Sequence, residues 1–413
     1  MTCNGLSITG NGQGRLVATC AAVMLLLSGC HPCAKRLGPV HAIWVTRFDY
    51  KTADDVVRII DQCADAGFNS VLFQVRGNAT ALYASPHEPW AEELGGAYPG
   101  FDPLALACRR AHQRHVRLHA WVNVLPAWRG KQPPEHPEQL YHQHPEWFWY
   151  DQHGQRQPLT SFYVSLNPCL PEVRAYLVEV FRDLVSRYDV DGLHMDYIRF
   201  PNEPPATPPG SGLDYPRDPR TLELFAKETG LKPDEDPPAW DRWRTEQVTR
   251  LVADIHDMIR RTKPAAVLSA AVGAVRANAL THFQDAQRWT ANGIIDVVYL
   301  MNYTDNPELF EQRLEPWLED PHGVGVVPGL WFGSTDNRSA AEGLPAVRRQ
   351  IEIAHEKTGS FCVFAYSSLF DSPGERGKVE DEAQHHVREL RRRELIPFIR
   401  SLGGAGPALR VAK

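Results

Sequence analysis

Several common signatures are missing from this 413-residue sequence. It has no long run of Lys and Arg, and a formal net charge of -6 leaves no positive field for a nucleic-acid backbone. No Gly-rich phosphate loop follows the first strand-like segment, which argues against a nucleotide-binding doubly wound sheet. An HxxEH-type helix is absent as well, so no zinc-hydrolase motif is present and no cofactor or metal is expected. Long apolar runs are scarce: residues 16–27 form one, too short to span a bilayer comfortably, and a mean hydropathy of -0.37 argues against several spans. The cysteines form no readable disulfide framework. Cys3, Cys20 and Cys30 fall in the leader, while Cys33, Cys63, Cys108, Cys169 and Cys362 are scattered and odd in number. Cys30 and Cys33 have CxxC spacing, but nothing around them supplies further ligands.

What remains is an ordinary globular composition, 43% hydrophobic, 23% charged and 10% aromatic. The aromatic share suits a ligand that stacks on rings, and sugars fit that better than polyanions do. At the start, Arg15 precedes the apolar stretch, which ends in Leu27-Ser28-Gly29-Cys30. This resembles the bacterial lipobox, with Cys30 lipidated and becoming the mature N-terminus; a plain signal peptide is the alternative. The expected organisation is a leader over 1–30, a tether over 31–40, a catalytic domain over 41–392 and a tail over 393–413. Export and lipid anchoring to the bacterial cell membrane or outer membrane follow, with contact to lipid through the anchor only.

Eight apolar strand-like runs, at 42–47, 70–76, 116–122, 190–196, 266–272, 295–302, 325–330 and 361–366, alternate with amphipathic segments. The helical stretches include 53–66, 103–115, 171–188, 241–262 and 344–358. Eight strands alternating with helices predict a closed parallel (β/α)8 barrel, also called a TIM barrel. Two long connections follow the third and fourth strands, at 128–170 and 201–240, both rich in Pro, Trp, Tyr and His. In a barrel these βα loops stand on the C-terminal face, where catalytic groups gather. They are expected to wall a cleft, or to form a structural flap at its edge.

Alternation along each strand sorts side chains between lumen and helix layer. Val71, Phe73 and Val75 face out, leaving Gln74 and Arg76 inward; Leu118, Ala120 and Val122 face out, leaving His119, Trp121 and Asn123 inward. Leu193 and Met195 face out, leaving His194 and Asp196 inward. So many polar groups are costly to bury without mutual bonding or chemistry to perform. His119 alone reads equally well as an orienting residue. Later strand ends add Asn302, Tyr303, Asp305, Trp331 and Tyr366, the aromatic ones being either sugar platforms or core fillers.

Four motifs then stand in order: Phe68-Asn-Ser-Val-Leu-Phe-Gln-Val-Arg-Gly-Asn78, Tyr83-Ala-Ser85 with Glu88-Pro-Trp90, His119-Ala-Trp-Val-Asn123, and Asp191-Gly-Leu-His-Met-Asp-Tyr-Ile-Arg-Phe-Pro201. From His41 to Leu369 the chain resembles the bacterial glycosyl-hydrolase-like family 10 lipoproteins. That resemblance implies a glycosidase-type barrel acting on cell-envelope polysaccharides, peptidoglycan glycan strands among them. Two departures stand out. Relatives often carry Asp-Asp-Tyr where this chain has Asp196-Tyr197, and Gln-Tyr where it has Asn302-Tyr303.

Most glycosidases flank the scissile bond with two carboxyl groups. Asp196 is the first candidate, with His194 and Arg199 nearby; Asp305 and Glu88 are candidates for the second, or the substrate's own N-acetyl group takes that part. Gln74, Arg76, His119, Trp121, Asn123, His194, Arg199, Asn302, Tyr303, Trp331 and Tyr366 are the expected substrate contacts. Two other classes remain open: a metal-dependent polysaccharide deacetylase using His119, His194 and Asp196, and a non-catalytic glycan-binding barrel.

Overall fold

The computed structural model describes residues 38–201, 212–335, 340–372 and 381–403. Cys30, the leader and most of the tether lie outside the described residues. Ten strands are present among them: β1 (His41–Val45), β2 (Ser70–Arg76), β3 (Arg117–Asn123), β4 (Pro126–Arg129), β5 (Tyr163–Ser165), β6 (Gly192–Asp196), β7 (Val267–Gly273), β8 (Val297–Met301), β9 (Gly325–Trp331) and β10 (Phe361–Phe364). Eight of them close a barrel in the order β1-β10-β9-β8-β7-β6-β3-β2, every neighbouring pair parallel. The (β/α)8 architecture expected from the alternating pattern is therefore the fold. β4 and β5 form a separate antiparallel ribbon inside the insertion after β3.

The helices are α1 (Ala53–Asp65), α2 (Pro103–Gln113), α3 (Leu140–Gln143), α4 (Pro171–Arg187), α5 (Pro219–Thr229), α6 (Pro237–Thr262), α7 (Arg276–Leu280), α8 (Ala286–Ala291), α9 (Pro307–Glu319), α10 (Ala340–Thr358) and α11 (Asp381–Leu402). Four share one start signal. Asp102, Asp218, Asp236 and Asn306 each precede a proline, and each side chain accepts the backbone N–H three residues on. The Asx oxygen satisfies a donor that the first turn leaves free, and proline fills a position that needs no donor. Because α6 starts at its Asp236 cap, the insertion after β6 ends sooner than the expected 240.

Two apolar layers hold the barrel. Leu118, Ala120, Leu193, Met195, Val298, Leu300 and other alternate strand residues pack against the helices. The lumen is filled by Trp44, Leu72, Trp121, Val297, Tyr299, Val327 and Cys362. Trp44 fits because Gly329 has no side chain: a Cβ there would stand 2.8 Å from the Trp44 ring. Its indole Nε1–H donates to Nε2 of His194 at 3.0 Å, and the Nδ1 of that imidazole meets the Ser269 hydroxyl at 2.9 Å. This chain of contacts crosses the barrel from β1 to β6 and β7.

The domain boundary expected at 392 falls inside α11. Leu395 and Ile399 of that helix are buried, Arg391 donates to the Phe332 carbonyl and Arg400 to that of Asp65. The segment 393–402 is thus part of the barrel wall, not a tail. Its two buried residues, Leu395 and Ile399, are four apart and so share one helical face.

Candidate active site

Above the lumen, on the face where the strands end, a cleft of about 630 Å³ opens. Asp196 sits at the last residue of β6, beside Asn123 in the register. Tyr197, the next residue, has φ +48, a left-handed conformation that costs a bulky residue about 1–3 kcal/mol. The bend brings the Tyr197 N–H back to Asp196 Oδ1 at 2.6 Å, and Arg199 Nη1 donates to the same oxygen at 3.1 Å. One carboxylate oxygen is held by two donors. Among the described residues Oδ2 takes no hydrogen bond. Asp196 is also the single carboxylate among the described residues that line the cleft.

Gln74, Trp121 and Asn123 line the same cleft, as their strand faces required, and Arg199 and Tyr303 join them from the segments after β6 and β8. Gln74 and Asn123 are braces. The Gln74 oxygen accepts the Arg47 backbone N–H at 3.0 Å, its amide donates to Asn123 at 3.1 Å, and Asn123 donates onward to the Gly77 carbonyl at 3.0 Å. Trp121 is buried, and its indole N–H has no partner among the described residues. Burial first, then the Asp196 charge, pushes the Tyr303 phenol well above its usual range, so it remains a hydrogen-bond donor near that carboxylate.

Other expected members lie elsewhere. A bulge between Gln74 and Arg76 puts Arg76 opposite Val122, an outward position, because one extra residue reverses the faces that follow it. Arg76 accordingly points into the wall, where its Nε and Nη2 meet Glu88 at 2.7–3.0 Å and its Nη1 donates to the carbonyls of Asn123 and Val124. Both side chains are fully buried, so Glu88 is an ion-pair partner outside the cleft and not its second carboxylate. Asp305 is half-buried after β8 and does not line the cleft. Asn302 is out of phase with inward Tyr299 and Met301, and its amide donates to the Phe310 carbonyl at 2.8 Å. Tyr366 donates to Gln62 of α1 at 2.5 Å within the helix layer. Trp331 stands at the rim with its ring 6.0 Å from that of Tyr303.

The two lumen histidines sit below the cleft. Both ring nitrogens of His194 are engaged, with Trp44 and Ser269, and burial first, then the repulsion a second protonated imidazole at His119 would bring, lowers its pKa well below the imidazole range. Accepting from Trp44 at Nε2 makes Nδ1 the protonated nitrogen. His119 is neutral too, its pKa lowered to about 4 by burial and then by Arg117. Its ring fills the space over Gly192, where a Cβ would stand 2.4 Å from Nδ1. A zinc set of His119, His194 and Asp196 does not assemble, and among the described residues no three His, Cys, Asp or Glu side chains converge as metal ligands.

Several lining residues were not anticipated. Thr46, Arg47 and Phe48 follow β1, Tyr163 comes from the ribbon, and His282 and Gln284 follow α7. Burial, then the Arg199 charge, lowers the His282 pKa, leaving a neutral imidazole on the cleft wall. The position of 46–48 at a strand end was a readable signal; no periodicity marks Tyr163 or His282.

A family model described as glycosyl hydrolase-like 10 matches residues 39–321, which covers β1 through α9. The glycosyl hydrolase DigH of Escherichia coli K12 is 26% identical over 335 residues, 71% of this chain and 70% of that protein. The glycosyl hydrolase YngK of Bacillus subtilis 168 is 28% identical over 218 residues, 51% of this chain but 38% of the Bacillus protein's length. Among solved structures, the PgaB glycoside hydrolase domain of Bordetella bronchiseptica aligns with a TM-score of 0.57 at 13% identity, over 86% of this chain and 98% of that one. The β-amylase catalytic domain of Paenibacillus polymyxa gives 0.56 at 10%, over 85% and 98%. At such identities these two describe the fold.

Proposed function

The chain belongs to the glycosyl hydrolase-like 10 family, and on that premise we propose that it is a glycoside hydrolase cleaving O-glycosidic bonds in a cell-envelope polysaccharide, with peptidoglycan glycan strands as first substrate. The observation that carries this reading is Asp196, fixed through Oδ1 at the floor of an aromatic-walled cleft with Oδ2 free of donors among the described residues. A glycosidase needs one group to protonate the leaving oxygen and another to support the anomeric carbon. With Asp196 the single described carboxylate lining the cleft, the second part falls to the 2-acetamido group of the sugar. Its carbonyl oxygen attacks C1 as the C1–O bond breaks, and Asp196 Oδ2 delivers a proton to the departing oxygen. Asp196 then takes a proton from the water that opens the cyclic intermediate, which restores the acetamido group and retains the anomeric configuration. Tyr303, still protonated, is a donor available to the sugar.

Purified glycan strands, native and N-deacetylated, test this by mass and anomer analysis of the products. Shorter saccharides of retained configuration are expected from the native strands alone. Equal cleavage of both would remove the acetamido step, and binding without product from either would leave a glycan-binding barrel. The reading extends to location: the Leu27-Ser28-Gly29-Cys30 sequence supports export and lipid anchoring at Cys30. On cell fractionation, Cys30→Ser is expected to move the protein out of the membrane fraction; unchanged membrane retention refutes the anchor.

A further inference from the structure

Beside the cleft lies a second cavity of about 270 Å³, for which the mechanism above has no use. Arg47 and Phe48 line both spaces and so form a shared wall. Arg47 is the fixed part. Its guanidinium is held by Glu93 at 2.5 Å and the Tyr163 hydroxyl at 3.1 Å, and Gly77 leaves room for it, since a Cβ there would stand 2.6 Å from Arg47 Cδ. Phe48 is the open part, with 41% of its surface uncovered.

The rest of the side cavity is polar: Asn78, Thr80, Glu92, Arg129 and Ser161, with Glu93 and Gly130. Asn78 is 7% exposed; its Oδ1 meets the Thr80 hydroxyl at 3.5 Å, and its amide nitrogen has no partner among the described residues. That nitrogen is not enclosed by protein, so it can donate to an acceptor inside the cavity that Asn78 lines. Arg129 Nε donates to the Ser161 carbonyl at 3.2 Å, while the other edge of its guanidinium pairs with no carboxylate among the described residues. Glu92 makes no ion pair among them either, and burial followed by the charges of Glu93 and Glu135 raises its pKa.

An exposed phenyl ring bordered by an amide, a guanidinium, a carboxyl and hydroxyls matches the two surfaces of a pyranose. The C–H face of the sugar packs on the ring, and the equatorial hydroxyls take the hydrogen bonds. We propose that the side cavity is a distal subsite for one hydroxyl-bearing pyranose of the same glycan, gripping the chain beyond the units flanking Asp196. This rests on the glycosidase reading. A second contact on one chain acts at high effective concentration, so affinity steps up at the length that first fills the subsite.

The test is calorimetric titration of the full-length Asp196→Asn protein with glycan oligosaccharides from disaccharide to octasaccharide. Arg129→Ala and Glu92→Gln are each added to that protein, neither residue lining the cleft. Each is expected to weaken binding of the long oligosaccharides about tenfold and leave the disaccharide unchanged. Affinities equal to the parent at every length, or lowered alike at every length, overturn the subsite and leave the glycosidase reading standing. Failure of every oligosaccharide to bind the parent overturns both.

Discussion

Asp196→Asn is expected to lower kcat on glycan strands by about 100- to 10,000-fold, the range that loss of a positioned acid/base group produces. Asparagine keeps the shape and one oxygen, so the Tyr197 N–H and the Arg199 guanidinium still find an acceptor at Oδ1. What disappears is the group at Oδ2 that can give and take a proton. Stability should fall by about 1–3 kcal/mol in urea, because the mostly buried pair with Arg199 loses its charge while the hydrogen-bond acceptor and the shape are kept. Asp305→Asn is the matched control. It removes a carboxylate near the same rim that does not line the cleft, so its kcat should remain within a few-fold of the parent. Parent-like activity in Asp196→Asn, with a normal melting curve, would refute the assignment.

Glu88→Gln carries the opposite signature, a stability loss of about 3–5 kcal/mol with catalysis preserved wherever the protein is folded. Arg76 and Glu88 are both fully buried, and the guanidinium keeps its charge when the carboxylate is removed. An uncompensated charge in the wall is the penalty, set against a typical total of about 5–15 kcal/mol. Replacing both residues, Arg76→Met with Glu88→Leu, should recover part of the loss. Recovery stays incomplete because the carbonyls of Asn123 and Val124 also lose their donor. Urea unfolding measures these terms, and kcat below the melting transition separates the roles: a folded Glu88→Gln protein with no activity would return Glu88 to the chemistry.

The barrel was legible because its signal is periodic. Alternation identified all eight strands and the inward set of Gln74, Trp121, Asn123 and Asp196. It failed at Arg76, where the bulge after Gln74 changes the phase without changing the residue pattern. Asn302 is a different kind of miss. Carrying the phase of Tyr299 and Met301 one step further puts it outside, so the information was present. Glu88 looked like a free carboxylate since nothing local shows that its partner lies twelve residues earlier in the wall. Tyr163 and His282 reach the cleft from a ribbon and a short helix whose placement is a tertiary fact. Leu395 and Ile399 lie at helical spacing, and their burial against the wall was hidden by the charged residues around them.

The contact chain from Trp44 through His194 to Ser269 gives the molecule an engineering property. It works as a tie-rod, fastening β1 to β6 and β7 across the barrel just below the cleft. A barrel so braced cannot spread one strand end without pulling on another, so its mouth is remodelled through the loops. The insertions after β3 and before α6 can therefore change in length or sequence while the floor bearing Asp196 stays in register. The brace is what lets the rim diversify without dismantling the machine beneath it.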